Sequence, residues 1–463
     1  MSVKTNINKR GRLSFRGGIH PPQCKYLSQE SKIQPGPAPK TVSIMLSQHT
    51  GAVCTPTVTP DQQVKAGQKV GDSDAFVSAP VHSPVNGKVR EIGLQSHAVL
   101  GRSPAVIIEA DPEGNWPKQP CFAEFTDDFD LNRYSIEQIC TAVRQAGIVG
   151  MGGAGFPTRV KIEPNPRLPK ETMIINGCEC EPYITCDERI MVEWTKQIIA
   201  GVKLTQKTTG VKRVFIGIED NKPQAVEAVG SAIETCRNTE DIKVVVVKTK
   251  YPQGGERQLI KAILRKNVPS AGIPPMIGVV VLNVATVAAI AEAVVLGAPL
   301  THRVVTVTGE GIARTGNYYV AIGTPVQELI YHCGGLTEDA VRVILGGPMM
   351  GVAISDFSMP VTKTADAITV LTKKQIGEDK LAAKRTACIH CGQCLQACPE
   401  HLNPTRIAHA VRKNLLDVAQ EYYISACTEC GCCSYVCPAN IELTGHIKTG
   451  KILLARQKKR MPQ

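Results

Sequence analysis

Two runs of one form, ACIHCGQCLQACPEHLNP at residues 387–404 and ACTECGCCSYVCPANIEL at residues 426–443, constrain this chain more than any other feature. Soft thiolates hold iron-sulfur clusters. In a C-x2-C-x2-C-x3-C-P run the three closely spaced cysteines bind one cluster, while the fourth, just before proline, reaches the other. Two runs therefore imply two 4Fe-4S clusters, one on Cys388, Cys391, Cys394 and Cys437, the other on Cys427, Cys430, Cys433 and Cys398. Cys432 is left over. Structural zinc wants two separated pairs of ligands rather than a triplet and a cysteine-proline. A pair of low-potential clusters is an electron wire.

The rest of the chain must supply the wire's source or sink. At 463 residues it has room for three or four domains. Eighteen cysteines would suggest a disulfide scaffold in a short secreted protein, but the N-terminus MSVKTNINKRGRLSFRGGIH lacks the apolar stretch of a signal peptide, so a reducing cytoplasm is expected. The most apolar stretch, IGVVVLNVATVAAIAEAVVLGAP from Ile277, contains Asn283 and Glu292 and reads as a buried strand with its crossover helix rather than a membrane span. The net charge of +12 sits in the tails: residues 1–40 carry +7 and residues 446–463 carry +6. With only 4% aromatic residues and no basic-aromatic face, nucleic acid is not a partner. The tails read either as solvated arms or as docking segments for an acidic partner or an anionic membrane surface.

Residues 41–115 read as short strands with glycine and proline turns, and VKAGQKVGD with SAPVHSPVNGKVREI resembles the lipoyl and biotinyl carrier domains. The carrier lysine is missing, which leaves a barrel-sandwich module with a structural role. Residues 120–300 alternate helix and strand: TMIIN, RVFIGIE, IKVVVVK and GVVVLN are strand-like, SIEQICTAVRQAG is a helix with Ser135 as N-cap, and NKPQAVEAVGSAIETC is another helix. A mainly parallel sheet covered on both faces follows, and such sheets bind ligands at the carboxyl ends of their strands. The glycine loop VGMGGAGFPTRVK, residues 149–161, fits that place; it lacks the ending of a triphosphate-binding loop.

The same region holds INGCECEPYITCDER from Ile175, KYPQGGERQLI from Lys250 and VLNVATVAAI from Val281. In this order they resemble the flavin and NADH-binding subunit of respiratory complex I. They resemble more closely the C subunits of the Rnf complex, a membrane-bound ferredoxin:NAD oxidoreductase coupled to ion transport. The second resemblance extends to FRGGIHPP, LSQHTGA, VHSPVNGKV, GGPMMG at residues 346–351 and both cysteine runs. It implies a multidomain α/β chain: a basic N-terminal arm (1–40), the barrel-sandwich module (41–115), a Rossmann-like FMN/NADH domain (120–300), a soluble-ligand-binding β-grasp module (301–355), a linker (356–380), an α-helical two-cluster ferredoxin-like domain (381–445) and a basic tail (446–463).

The resemblance further implies a non-covalent FMN, with Gly150, Gly152, Gly153, Lys161, Asn176, Glu179 and Asn283 at its site, and Phe156, Glu181 and Glu256 meeting NADH. Met151, Cys178 and Leu282 depart from the complex I pattern. No catalytic side chain is expected, because the cofactors carry the chemistry. NADH gives a hydride, a cluster takes one electron, and a flavin converts between the two. The chain is thus expected to pass electrons between NAD(H), FMN and two clusters to other subunits, with ferredoxin reached indirectly, from the cytoplasmic side of the membrane. A cobalamin reductase of a microcompartment and a non-enzymatic wiring subunit are the alternatives; the barrel and LSQHTGA favour the Rnf reading.

Overall fold

The computed structural model describes residues 13–112, 114, 120–270, 272–377 and 385–460. The barrel module pairs an antiparallel sheet, in the order Thr41–Met45, Gly101–Ala110, Gly87–His97 and Gln63–Val64, with a smaller one of Thr55–Pro56, Lys69–Asp72 and Val81–His82. Val42, Ile44, Val70, Val81, Val89, Val106 and Ile108 fill the space between them.

The central unit is a four-stranded parallel sheet, ordered Ile242–Val247, Arg213–Glu219, Thr172–Gly177 and Val279–Asn283. All four strands come from the β-branched runs read in the sequence. Ser135 caps the helix Ile136–Gln145 through a full capping box with Gln138. The apolar stretch from Ile277 divides into the strand Val279–Asn283 and the helix Val284–Ala291. That helix packs on Thr195–Thr209 so closely that a Cβ on Gly201 would lie 1.9 Å from the Val287 carbonyl oxygen. Among the described residues no helix is long and apolar enough to cross a membrane.

The third sheet corrects two expectations. Its six strands run in the order Ile33–Pro35, Gly316–Ala321, His302–Thr308, Ala367–Thr372, Ala340–Leu345 and Val352–Ile354. The segment 356–380, expected as a linker, supplies Ala367–Thr372, buried at every position and paired on both sides. The N-terminal arm, expected as a basic solvated or docking segment outside the folded modules, supplies the edge strand Ile33–Pro35. It also straps the central sheet to the cysteine-rich region: Ile19 and Tyr251 exchange both backbone hydrogen bonds at 2.8 and 2.9 Å, and Gly18 N donates to the Ala397 carbonyl at 2.8 Å. Gly17 and Gly18 have φ of +84° and +77°, and a Cβ on either would lie within 2.7 Å of a backbone oxygen, of Cys398 and Tyr251 respectively. Only glycine lets the strap lie this close.

The described part of the basic C-terminal tail, residues 446–460, is likewise structured. It forms most of the helix Leu443–Arg460, whose Ile447 and Leu454 join Ile407, Val411, Leu416 and Ile424 in a small core. An amphipathic helix with an apolar face buries that face, whatever charge the other side carries.

His302 sets an acid limit on this fold. It is buried, stacks on Tyr319 at 4.8 Å, and burial lowers its imidazole from 6.5 to about 4. The unfolded chain therefore binds this proton first as pH falls, so stability is complete above about 6.5 and is lost toward about 4. His302→Phe should flatten that loss, read as the thermal midpoint across the interval; an unchanged pH profile would reject His302 as its source.

Candidate functional site

At the carboxyl edge of the parallel sheet, Asn176 and Asn283 stand side by side in register. Asn176 Nδ2 donates to the Gly254 carbonyl at 2.8 Å, and its Oδ1 accepts from Cys178 N at 3.0 Å. Asn283 Oδ1 accepts from Ala285 N and Thr286 N, capping the helix Val284–Ala291, while its Nδ2 donates to Asp187 Oδ2 at 2.6 Å. The glycine loop folds over this edge. Gly150 N donates to the Phe156 carbonyl at 2.9 Å, Met151 N donates to Thr286 Oγ1 at 3.0 Å, and a Cβ on Gly152 would sit 3.0 Å from Asn283. Gly153 faces open space, so the loop presents bare backbone.

Beneath the loop lies a cleft of about 340 Å³. Gly152, Asn176, Glu179, Glu181, Glu256 and Asn283 line it, as expected from the sequence, together with Asp187, Asp366, Tyr251, Thr428 and Cys430, which were not anticipated. Gly150, Gly153, Phe156 and Lys161 are not on its wall. Gly153 instead edges a neighbouring cavity of about 490 Å³ between barrel and third sheet, which shares Met350 and Asp366 with the cleft. Lys161 sits just behind, with Nζ 3.3 Å from both Glu256 Oε1 and the Val281 carbonyl oxygen. The two residues assigned to different ligands thus form one ion pair.

Acids crowd the cleft, and burial shapes them. Desolvation pushes Glu179 up to about 8, Glu181 up to about 7 and Asp366 up to about 6. Glu179 Oε1 accepts from Asp187 N at 2.7 Å; its Oε2 is buried without a hydrogen-bond partner among the described residues, 3.7 Å from Lys25 Nζ. Glu181 accepts from Met349 N at 3.1 Å and Met350 N at 2.8 Å, which holds the 346–351 turn against the cleft. Lys25, also buried, donates to the carbonyls of Glu179, Glu181 and Ile184 at 2.8, 3.0 and 2.6 Å.

The cysteine runs form an internal repeat of 39 residues, and the backbone repeats with them. His390 and Glu429 have φ of 56° and 59°, and Gly392 and Gly431 of 75° and 82°. Thr405 Oγ1 lies 3.0 Å from Cys394 Sγ, and Thr444 Oγ1 lies 3.4 Å from Cys433 Sγ. Among the described residues no three His, Cys, Asp or Glu side chains are set to hold a single metal ion. The thiols ring two cavities instead: Cys398, Cys427, Cys430 and Cys433 line one, and Cys388, Cys391, Cys394 and Cys437 the other. Leu402 N donates to Cys398 Sγ and Glu429 N to Cys427 Sγ, both at 3.3 Å, the donor surroundings that suit cluster thiolates. Cys432 is buried at the first cavity; its hydrogen bond to Cys430 lowers that thiol to about 7 and raises its own.

Asp187 lay within a motif already singled out, and an acid at a helix start could have marked it. Asp366 lay in the supposed linker and gave no local signal.

A glycine-loop cleft on a parallel sheet, abutting the first of two thiol-ringed cavities, defines a flavin and iron-sulfur electron-transfer protein. Known proteins agree. Residues 13–113 match the RnfC barrel sandwich hybrid domain, 143–292 the Nuo51 FMN-binding domain, 304–353 the SLBB domain and 384–441 the 4Fe-4S dicluster domain. The chain is 41% identical to the C subunit of the proton-translocating ferredoxin:NAD(+) oxidoreductase complex of Clostridium ljungdahlii, over 89% of this chain and 87% of that one. It is 42% identical to the C subunit of the Na(+)-translocating ferredoxin:NAD(+) oxidoreductase complex of Acetobacterium woodii, over 87% and 88% respectively. It is 40% identical to the C subunit of the ion-translocating oxidoreductase complex of Rhodobacter capsulatus, over 100% of this chain and 87% of that one. An NAD+-reducing [NiFe]-hydrogenase structure shares the fold, with a TM-score of 0.50 and 19% identity over 73% of this chain and 64% of that one. The chain belongs to the RnfC family, the C subunits of ion-translocating ferredoxin:NAD oxidoreductases.

Proposed function

We propose that this chain transfers electrons between NAD(H) and FMN, and through two 4Fe-4S clusters to or from the other subunits of a membrane-bound, ion-translocating ferredoxin:NAD oxidoreductase. It lies peripherally on the cytoplasmic side, with ferredoxin reached through those subunits. One observation carries the reading: Thr428 and Cys430 belong both to the wall of the cleft and to the first thiol-ringed cavity. A flavin bound in the cleft, able to exchange a hydride on one side and single electrons on the other, would therefore adjoin a cluster.

In the Rossmann-like half, the Gly152 backbone would admit the flavin closely, with the Asn176 and Asn283 side chains below it, while Gly150 and Gly153 shape the loop outside the cleft wall. Burial raises Glu179 to about 8 against the pull of Lys25, 3.7 Å away, so its carboxyl can hold or release a proton beside the flavin. The open end of the cleft carries Glu256 at the start of the helix Glu256–Leu264, where a carboxylate accepts ribose hydroxyls and repels a 2′-phosphate. Glu181, occupied by two amide N–H groups, positions the wall. In the helical two-cluster, ferredoxin-like domain the thiol sets ringing each cavity would hold one cluster each.

The purified protein should show a flavin spectrum that NADH bleaches; flavin-free protein after gentle purification would reject the reading. Lys161→Ala should lower bound FMN, because it removes the cation paired with Glu256 at the cleft wall. Glu256→Gln should keep the flavin but weaken the preference for NADH over NADPH by about tenfold to a hundredfold, the worth of one charge-assisted contact. Full discrimination in Glu256→Gln would move nucleotide choice elsewhere.

A further inference from the structure

We infer that electrons pass between this chain and its redox partner over the cavity of Cys388, Cys391, Cys394 and Cys437, at a face suited to an acidic one-electron protein. The inference rests on reading the two thiol sets as cluster ligands.

The inner set is the more enclosed. Cys398, Cys430 and Cys433 are buried and Cys427 is half-buried, the Gly17–Gly18 strap lies on the Cys398 carbonyl, and a Cβ on Gly431 would be 3.1 Å from the Met349 carbonyl oxygen. The outer set is different. Cys391 is exposed, Cys388 and Cys437 are half-buried, and their cavity of about 970 Å³ opens at the surface. A wire running from the cleft through the shared wall at Cys430 ends here.

The rim of that opening has a definite chemistry. The helix Pro404–Arg412 brings Arg406, His409 and Arg412, all exposed and three residues apart, to the cavity. Such spacing places them along one helix face. Among the described residues lining the cavity the one carboxylate is Glu442, and Arg385 holds it at 2.6 Å. Beside these charges Ile389 is 65% exposed and Leu395 41%. Solubility alone would explain arginines, but not large aliphatic side chains left in water among them. Apolar contact ringed by one sign of charge is how a docking face combines steering with a dry centre. The partner it fits carries acidic groups around its own exposed redox centre.

The full chain, with flavin and clusters, tests this with NADH and two protein acceptors: flavodoxin, which is acidic, and cytochrome c, which is basic. Each NADH oxidised gives NAD+, one proton and two electrons, which reduce two acceptors; each flavodoxin semiquinone formed also takes up a proton from solvent, and no further reductant is needed. With flavodoxin the rate should fall as salt rises, and the double substitution Arg406→Glu, Arg412→Glu should reduce the low-salt rate at least tenfold, since steering contributes about 10- to 1,000-fold. Cytochrome c should be reduced as fast or faster by the variant. Iron content and NADH bleaching of the flavin should stay unchanged, and Arg406→Gln, Arg412→Gln should give a smaller loss in the same direction. A variant that keeps its flavodoxin rate, or a wild-type rate indifferent to salt, overturns the assignment of this face. Failure of the wild-type flavin to bleach would instead overturn the functional reading beneath it.

Discussion

Cys398→Ala should remove one cluster of two, and the one lost should be that of Cys427, Cys430 and Cys433, thirty residues downstream. Cys398 stands in the first run, so a reading by proximity in the chain would assign it to Cys388, Cys391 and Cys394. Its thiol nevertheless lines the cavity of the second triplet and accepts from Leu402 N there, while Cys437 lines the cavity of the first. Iron should fall from about eight to about four per chain, and paramagnetic resonance of the reduced variant should keep only the outer signal. Because the lost cluster adjoins the cleft, NADH should still bleach the flavin, while reduction of a protein acceptor at the outer face should drop at least a hundredfold; a step lost outright far exceeds the about tenfold effect of a single weakened contact. Cys437→Ala should give the converse, with the inner signal retained. Loss of the Cys388, Cys391 and Cys394 cluster in Cys398→Ala would overturn the crossed assignment.

Lys25→Met should be the most damaging substitution in the N-terminal arm, though it is remote in sequence from every proposed ligand site. The amine donates to three carbonyls of the 179–184 turn and lies 3.7 Å from Glu179. Methionine fills much of the volume but leaves those oxygens buried and unpaired, at about 1–3 kcal/mol each. The turn carries Glu179 and Glu181 into the cleft, so flavin content should fall together with the thermal midpoint, and amides of residues 179–187 should exchange faster. Normal flavin content and an unchanged midpoint would show that the turn holds itself.

The same lysine shows where a sequence can and cannot be read. Within residues 1–40 it is one of eight basic residues and looks like part of a solvated arm. Its burial depends on carbonyls some 150 residues away, and no local pattern encodes that. The strand Ala367–Thr372 is a different case, since AITVLT has the β-branched composition of a buried strand. It was hidden by the expectation that the β-grasp module ended earlier, so the miss was one of boundary rather than of signal. The expected separation of Lys161 and Glu256 between two ligands also gave way to a contact, because the start of the helix Glu256–Leu264 meets the short helix Thr158–Ile162, a juxtaposition that only packing sets.

What the sequence determined by itself is everything with a short period or a fixed ligand spacing. The four parallel strands, the Ser135 cap and the two cysteine runs with their cluster-type spacing depend on neighbours within a few residues. Tertiary structure alone decided how these parts face one another: the arm as an edge strand and strap, the acid-lined cleft, the wall shared through Thr428 and Cys430, and the greater exposure of one thiol set than of the other. Those features arise from the docking of separately patterned units. The free energy of that docking comes from surfaces assembled out of distant segments, so no window of the chain contains it.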